Sequence, residues 1–144
     1  MKFLPLLCAA LLCACTTSIP NQQNTIVNQQ NAPSLPLAGK WQLAAFTGFS
    51  TQQIQQAQAY MDLSKMPDAH ANMGCNQLIF QAKIIDSTQI QFDNIASTLM
   101  ACDEEMKLEQ AFSQASHQGA WTYSLQNNRL ILRHEMGVEM QFTP

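Results

Sequence analysis

The chain has 144 residues, 47% of them hydrophobic and 12% charged, with 7 Lys+Arg against 10 Asp+Glu and a formal net charge of −3. That length sets a ceiling of one small folded domain, and a sequence with no basic stripe has no electrostatic driver for sequence-independent nucleic-acid binding. No apolar run reaches the eighteen or so residues of a membrane-spanning helix, so the chain can be tethered to a bilayer but not threaded through it.

Met1-Lys2 is a short positive start, and Phe3 to Leu12 is an apolar stretch of signal-peptide length. At about 1.5 Å per residue it covers only roughly half of the hydrocarbon core. It runs into Leu12-Cys13-Ala14-Cys15, which looks like a bacterial lipobox, with an aliphatic residue and two small ones ahead of the cysteine that takes the lipid. Residues 1–14 are therefore expected to be a lipoprotein signal peptide. Cys15 becomes the mature N-terminus, and the resemblance implies a thioether-linked diacylglycerol and an N-acyl chain such as palmitate. Several acyl chains at about 0.8 kcal/mol per buried CH₂ make a permanent anchor. Thr16 stands where Asp signals inner-membrane retention in enteric bacteria, so by analogy the destination is the outer membrane, facing the periplasm. The competing reading is ordinary secretion after an Ala-x-Ala-like cleavage, which Cys13-Ala14-Cys15 fits less well.

Residues 16–36 are Gln/Asn-rich and uncharged, with three prolines, a composition that reads as a flexible tether after Cys15. The folded domain is expected over 37–144. Leu37, Trp41 and Leu43 fall at strand period and predict the opening strand. Gly48 to Thr51 reads as a loop and Gln52 to Gln58 as a helical turn. Tyr60 to Leu63 reads as a second strand, ended by a turn at Lys65-Met66-Pro67-Asp68. Met73-Gly74-Cys75-Asn76 reads as a pinned corner. Leu78 to Ile85 and Thr88 to Phe92 form a hairpin around Asp86-Ser87, and Ile95 to Cys102 brings back the last cysteine.

From Asp103 the period changes. Leu108, Ala111, Phe112 and Ala115 lie on one helical face, and Asp103, Glu104 and Glu105 crowd the first turn, where the helix dipole favours negative charge. Trp121 to Leu125 and Arg129 to Arg133 flank Asn127-Asn128, a pair suited to a two-residue turn. Val138, Met140 and Phe142 alternate in a last strand. Trp41, Phe80, Phe92 and Phe112 are the expected core aromatics.

Of five cysteines, Cys8 and Cys13 leave with the signal peptide and Cys15 takes lipid, which leaves Cys75 and Cys102 as one pair in an oxidising compartment. A structural disulfide is the reading adopted. Redox catalysis favours a Cys-x-x-Cys at a helix start, and a zinc site needs more ligands than two isolated cysteines.

Leu37-x-Gly39-x-Trp41, Gly74-Cys75-Asn76, Ile95-Ala96-x-Thr98-x-Met100-Ala101-Cys102 and Glu109-x-x-Phe112, in that order and before an antiparallel end, resemble the META domain, the family of HslJ-like heat-shock lipoproteins. The resemblance covers about residues 37–144. It implies a mainly β (α+β) domain, a small and strongly curved antiparallel sheet or open barrel with one main helix packed against it, and a link to envelope or heat stress. It also resembles the cracked barrel of type III secretion pilotins, whose interior can take a lipid tail. It implies no catalytic mechanism and no cofactor.

The residues agree that this is not an enzyme. There is no Gly-x-Ser-x-Gly, and His70, His117 and His134 lie in separate segments, each read as a surface or loop histidine rather than a metal ligand or base. The acidic run at Asp103 is assigned no metal. A copper reading draws on the mature chain's methionines, with Met136, Met140 and His134 as Cu(I) ligands, against the ordinary use of Met as core filler. The leading expectation is an outer-membrane lipoprotein that supports envelope integrity by binding a hydrophobic ligand or an envelope protein client in the open side of the barrel. The alternative is a periplasmic structural stress module without a specific ligand.

Overall fold

The computed structural model describes residues 37–103 and 106–144; the signal-peptide, lipidation and tether readings for residues 1–36 lie outside them. Antiparallel strands follow one another around a barrel as β1 (Lys40–Phe46), β2 (Tyr60–Lys65), β3 (Asp68–Asn72), β4 (Gln77–Ile84), β5 (Gln89–Ser97), β6 (Trp121–Gln126), β7 (Arg129–Arg133) and β8 (Glu139–Thr143). Helix α1 (Thr51–Ala57) joins β1 to β2, and α2 (Met106–His117) joins β5 to β6. The mainly β fold with a packed helix is as expected, but the barrel is closed rather than open. Strand β8 returns to pair with β1, with Leu43 opposite Phe142 and Phe46 opposite Met140, all four side chains buried.

The one main helix expected to pack against the sheet is α2, and the helical turn read over Gln52 to Gln58 is α1. Ser50-Thr51-Gln52-Gln53 is a capping box in which Ser50 Oγ accepts from the Gln53 backbone N–H and Gln53 Oε1 accepts from the Ser50 N–H. Ile54 and Ala57, one turn apart, give α1 its buried face. Strand β3 lies between the expected turn, which ends at Asp68, and the expected corner, which begins at Met73, a stretch for which no strand was expected. Its inward residues are Ala69 and Ala71, too small to register as an apolar alternation against outward Asp68, His70 and Asn72. Strand β5 runs past Phe92 to Ser97 through a bulge, where Asn94 adopts a left-handed φ of 56° and the register to β4 shifts between Ile79 and Gln81. Asn127 and Asn128, at φ 50° and 61°, form the expected β6–β7 turn.

An eight-stranded barrel is just wide enough for side chains to fill its interior. Trp41, Phe80, Phe92 and Phe112 are all buried, together with Met61, Leu63, Trp121, Leu130, Leu132, Met140 and Phe142. Strands β5 and β6 pair only at Gln89–Thr122 and Ile90–Trp121. Helix α2 packs at this short seam, where the Phe112 ring lies 5.7 Å from that of Phe92 and 6.4 Å from that of Trp121. The expected opening for a lipid tail or client segment is thus taken by the protein's own aromatics.

Candidate functional site

The residues that carry the motifs converge on one buried knot below β4. Cys75 and Cys102 are joined, with Cα atoms 5.9 Å apart. Asn76, 3% exposed, uses every polar atom of its side chain. Its Oδ1 accepts from Thr98 Oγ1 at 2.8 Å and from the Met100 N–H at 2.7 Å, while its Nδ2 donates to Met100 O at 3.3 Å and to Glu109 Oε1 at 3.2 Å. The Asn76 N–H donates to Glu109 Oε2 at 2.8 Å. Glu109, on α2 and 7% exposed, therefore ties the helix to the corner before β4. The knot is fully engaged with itself, which makes it a clamp rather than a place for a ligand.

A concavity that can receive a ligand lies on the outer face of the barrel. Outward side chains of β1 to β5 register in three rungs. The middle rung runs Lys40, Asp62, His70, Ile79 and Ala96. One neighbour runs Gln42, Tyr60, Asn72 and Gln77, and the other runs Lys65, Asp68 and Gln81 toward Asp93. Register shifts lie on both sides, between Asp62 and Lys65 on β2 and at Asn94 on β5. Such bulges bend strands and increase local twist. Between them lies a groove of about 670 Å³ lined by Tyr60, Asp62, His70, Ile79, Gln81 and Asn94 among others, a volume in the range of small-ligand sites.

The walls of the groove are held in place. The Tyr60 hydroxyl donates to Gln77 Oε1 at 3.3 Å, and Gln77 Nε2 donates to Ala71 O at 3.2 Å. Lys40 Nζ sits 4.1 Å from the centre of the Tyr60 ring, and His70 meets that ring edge-on. His70 Nε2 lies 3.5 Å from Asp62 Oδ2, while Asp62 Oδ1 accepts from the Ser64 hydroxyl and N–H. The Ser64 hydrogen bonds, followed by the charges of His70 and Lys40, hold the Asp62 carboxyl below its ordinary value. A carboxylate with a depressed folded pKa contributes stability that is present above its unfolded pKa of about 3.9 and is lost as pH falls through the folded value. Ser64→Ala should move the Asp62 titration up toward that ordinary value, read from side-chain carboxyl chemical shifts. An unmoved titration would remove Ser64 as the principal cause.

Ser64, Asp62 and His70 are the three residue types of a hydrolase triad in the wrong order. The carboxylate stands between the hydroxyl and the imidazole, so the imidazole is not placed to take the Ser64 proton. His117 ends α2 and is exposed. His134 lies in the loop between β7 and β8, as its reading as a surface or loop residue allowed, but it is buried there against Trp121 with ring centres 5.1 Å apart. Its Nδ1 accepts from the Met136 N–H. Met140 is fully buried in the barrel and Met136 about half exposed, so the thioethers of the copper reading occupy different environments. The acidic run at Asp103 precedes α2, which starts at Met106. Residues 104 and 105 lie outside the described part, and Glu109 in the first turn is turned to Asn76. Cys15 also lies outside it. Sequence reasoning did not single out the groove residues. The one available signal was the outward alternation of Asp68, His70 and Asn72.

Two solved structures share the fold. One is described as an NMR structure of a protein from Burkholderia xenovorans, with a TM-score of 0.58, 20% identity, and coverage of 74% of this chain and 81% of that one. Another NMR structure has a TM-score of 0.57 and 15% identity, covering 73% and 88% respectively. Among curated proteins none matches the chain. The META domain family model matches residues 34–144, a span that takes in the barrel, both helices and the Asn76 clamp. The chain belongs to the META domain family.

Proposed function

We propose that this protein is a lipid-anchored binding module of the outer membrane, facing the periplasm, that supports envelope integrity under stress without catalysis. The observation that carries the binding role is the groove on β2 to β5. The barrel interior is packed with the protein's own side chains, whereas this outer face offers about 670 Å³ of space lined by held polar and aromatic groups. The anchor rests on Leu12-Cys13-Ala14-Cys15 and on the uncharged stretch of residues 16–36 that would separate lipid from domain. The Cys75–Cys102 bond fits an oxidising compartment. The order of Ser64, Asp62 and His70 argues against hydrolysis at the groove.

The test is rescue of a strain lacking the protein and sensitised to heat and detergent. Radiolabelled palmitate should enter the wild-type chain and not Cys15→Ser. Wild type should restore resistance, as should Arg129→Ala on β7, four strands from the centre of the groove. The double variant His70→Ala/Gln81→Ala should fold with an unchanged melting temperature and fail to rescue. Full rescue by the groove variant would leave the structural stress module as the better reading.

A further inference from the structure

We infer that the groove takes a neutral glycan, whose pyranose rings carry hydroxyl and acetamido groups; this rests on the groove being the binding surface and names its ligand. The charges exclude strongly ionic ligands. Asp62 and Asp68 are offset by Lys40 and Lys65 within the same three rungs, and Asp93 at their edge is paired with Lys83 at 3.1 Å, so the face presents no net field for a polyanion or polycation. Ile79 is flanked by amides, carboxylates and a hydroxyl, and the other aliphatic and phenyl lining groups, Ala69 and Phe80, are buried on the inward side of their strands, which leaves an acyl chain one exposed aliphatic side chain to lie on. Strands β2, β3 and β4 each have a neighbour on both sides, so an extended peptide finds no unpaired backbone there to join as an added strand.

What remains is recognition by side chains, and their order along β4 suits sugar rings. Successive outward residues Gln77, Ile79 and Gln81 place an amide, an aliphatic group and an amide at steps of about 7 Å. Ile79 is 59% exposed, and its registered neighbour His70 has a side chain 45% exposed. Together they make an apolar-and-ring step against which the C–H face of a pyranose can lie. Planar amides both donate and accept, which matches vicinal hydroxyls and the acetamido group. Gln77 is fixed by Tyr60 and by Ala71 O, and Gln81 by Asn94 Nδ2 at 3.5 Å, so part of the ordering cost is met before binding.

The full chain carrying Cys15→Ser, labelled with ¹⁵N, is titrated with the β-1,4-linked tetramer of N-acetylglucosamine. Amide shifts confined to the outward residues of β2 to β5, and a dissociation constant raised at least tenfold by His70→Ala/Gln81→Ala, are the expected result. Co-sedimentation with purified peptidoglycan sacculi and with lipopolysaccharide micelles separates the two envelope sources of such sugars, and groove-dependent binding to either supports the glycan and names its source. No shifts at millimolar tetramer together with no groove-dependent co-sedimentation overturns it, as do shifts that map elsewhere on the barrel. If the glycan arms fail while the groove variant still cannot rescue the deletion strain, the ligand class falls and the groove stands. Full rescue by that variant instead removes the groove itself.

Discussion

Asn76→Ala is expected to lower the melting temperature by roughly 15–20 °C, from a loss of about 4 kcal/mol in a domain of this size. The side chain, itself buried, makes hydrogen bonds at 2.7–3.3 Å to buried Glu109 and to the more exposed Thr98 and Met100. Alanine removes all of them and gives nothing to the groups left behind. The Met100 N–H and C=O and one Glu109 oxygen lose partners, and an unsatisfied buried group costs more than a made bond contributes. Asn76→Asp separates the two halves of the effect. An aspartate still accepts from Thr98 and Met100 but turns its other oxygen, in place of an NH₂, toward the Glu109 carboxylate. Two carboxylates at that distance share a proton, so one pKa of the pair rises in the folded state. The destabilisation of Asn76→Asp should therefore be greatest above that raised value and shrink as pH falls through it, whereas that of Asn76→Ala, which keeps the backbone N–H bond to Glu109 and faces it with no second carboxylate, should depend on pH much less. Thermal melts of both variants across the acid range check this. A fall of less than about 5 °C for Asn76→Ala would show that water replaces the lost partners.

The clamp also shows what was legible in the sequence and what was not. Trp41, Phe80, Phe92 and Phe112 could be assigned to the core because large apolar side chains at strand or helix period have few other uses. The Asn127-Asn128 turn was legible because few residues tolerate positive φ. Strand β3 was not, because Ala69 and Ala71 carry the inward face with a single methyl each. Gly74-Cys75-Asn76 could be marked as a corner, but the pairing of Asn76 with Glu109 spans 33 residues and leaves no local period. The dipole reading went to Asp103, Glu104 and Glu105, and Glu109 stood out only through the Glu109-x-x-Phe112 motif, with no partner until the fold supplied Asn76. His134 looked incidental for the same reason: its burial depends on Trp121, which the chain brings to it only through the β6–β7 hairpin. The groove was least legible of all. Its rungs assemble residues from five strands, and the outward positions of a strand carry polar residues whether or not they bind anything. Closure of the barrel was likewise a matter of β1 meeting β8, a pairing between the two ends of the domain that no local pattern encodes.

Removing the disulfide by Cys75→Ser/Cys102→Ser is expected to cost about 3.5 kcal/mol, the chain-entropy value for a loop closed across a sequence separation of 27. This corresponds to a fall of roughly 15 °C in melting temperature. Reductant alone should reproduce most of it in the wild-type chain and have no effect on the double serine variant. The more informative quantity is the coupling to Asn76. Both devices hold the same segment, since Asn76 grips Thr98 and Met100 while the disulfide grips Cys102. If the disulfide acts by restricting the unfolded chain, its loss should leave the native Asn76 bonds intact, and the effects of Asn76→Ala and of the serine pair should add within about 0.5 kcal/mol. If it acts by holding the segment against Asn76 in the folded state, losing it lets Thr98 to Met100 drift and Asn76→Ala then removes less. The clamp predicts the first outcome, because the Thr98 N–H to Gln77 C=O bond and the Gln77 N–H to Thr98 Oγ1 bond keep the segment seated without the sulfurs. A coupling above about 1 kcal/mol in a double-mutant cycle would instead make the covalent bond the element that positions Asn76.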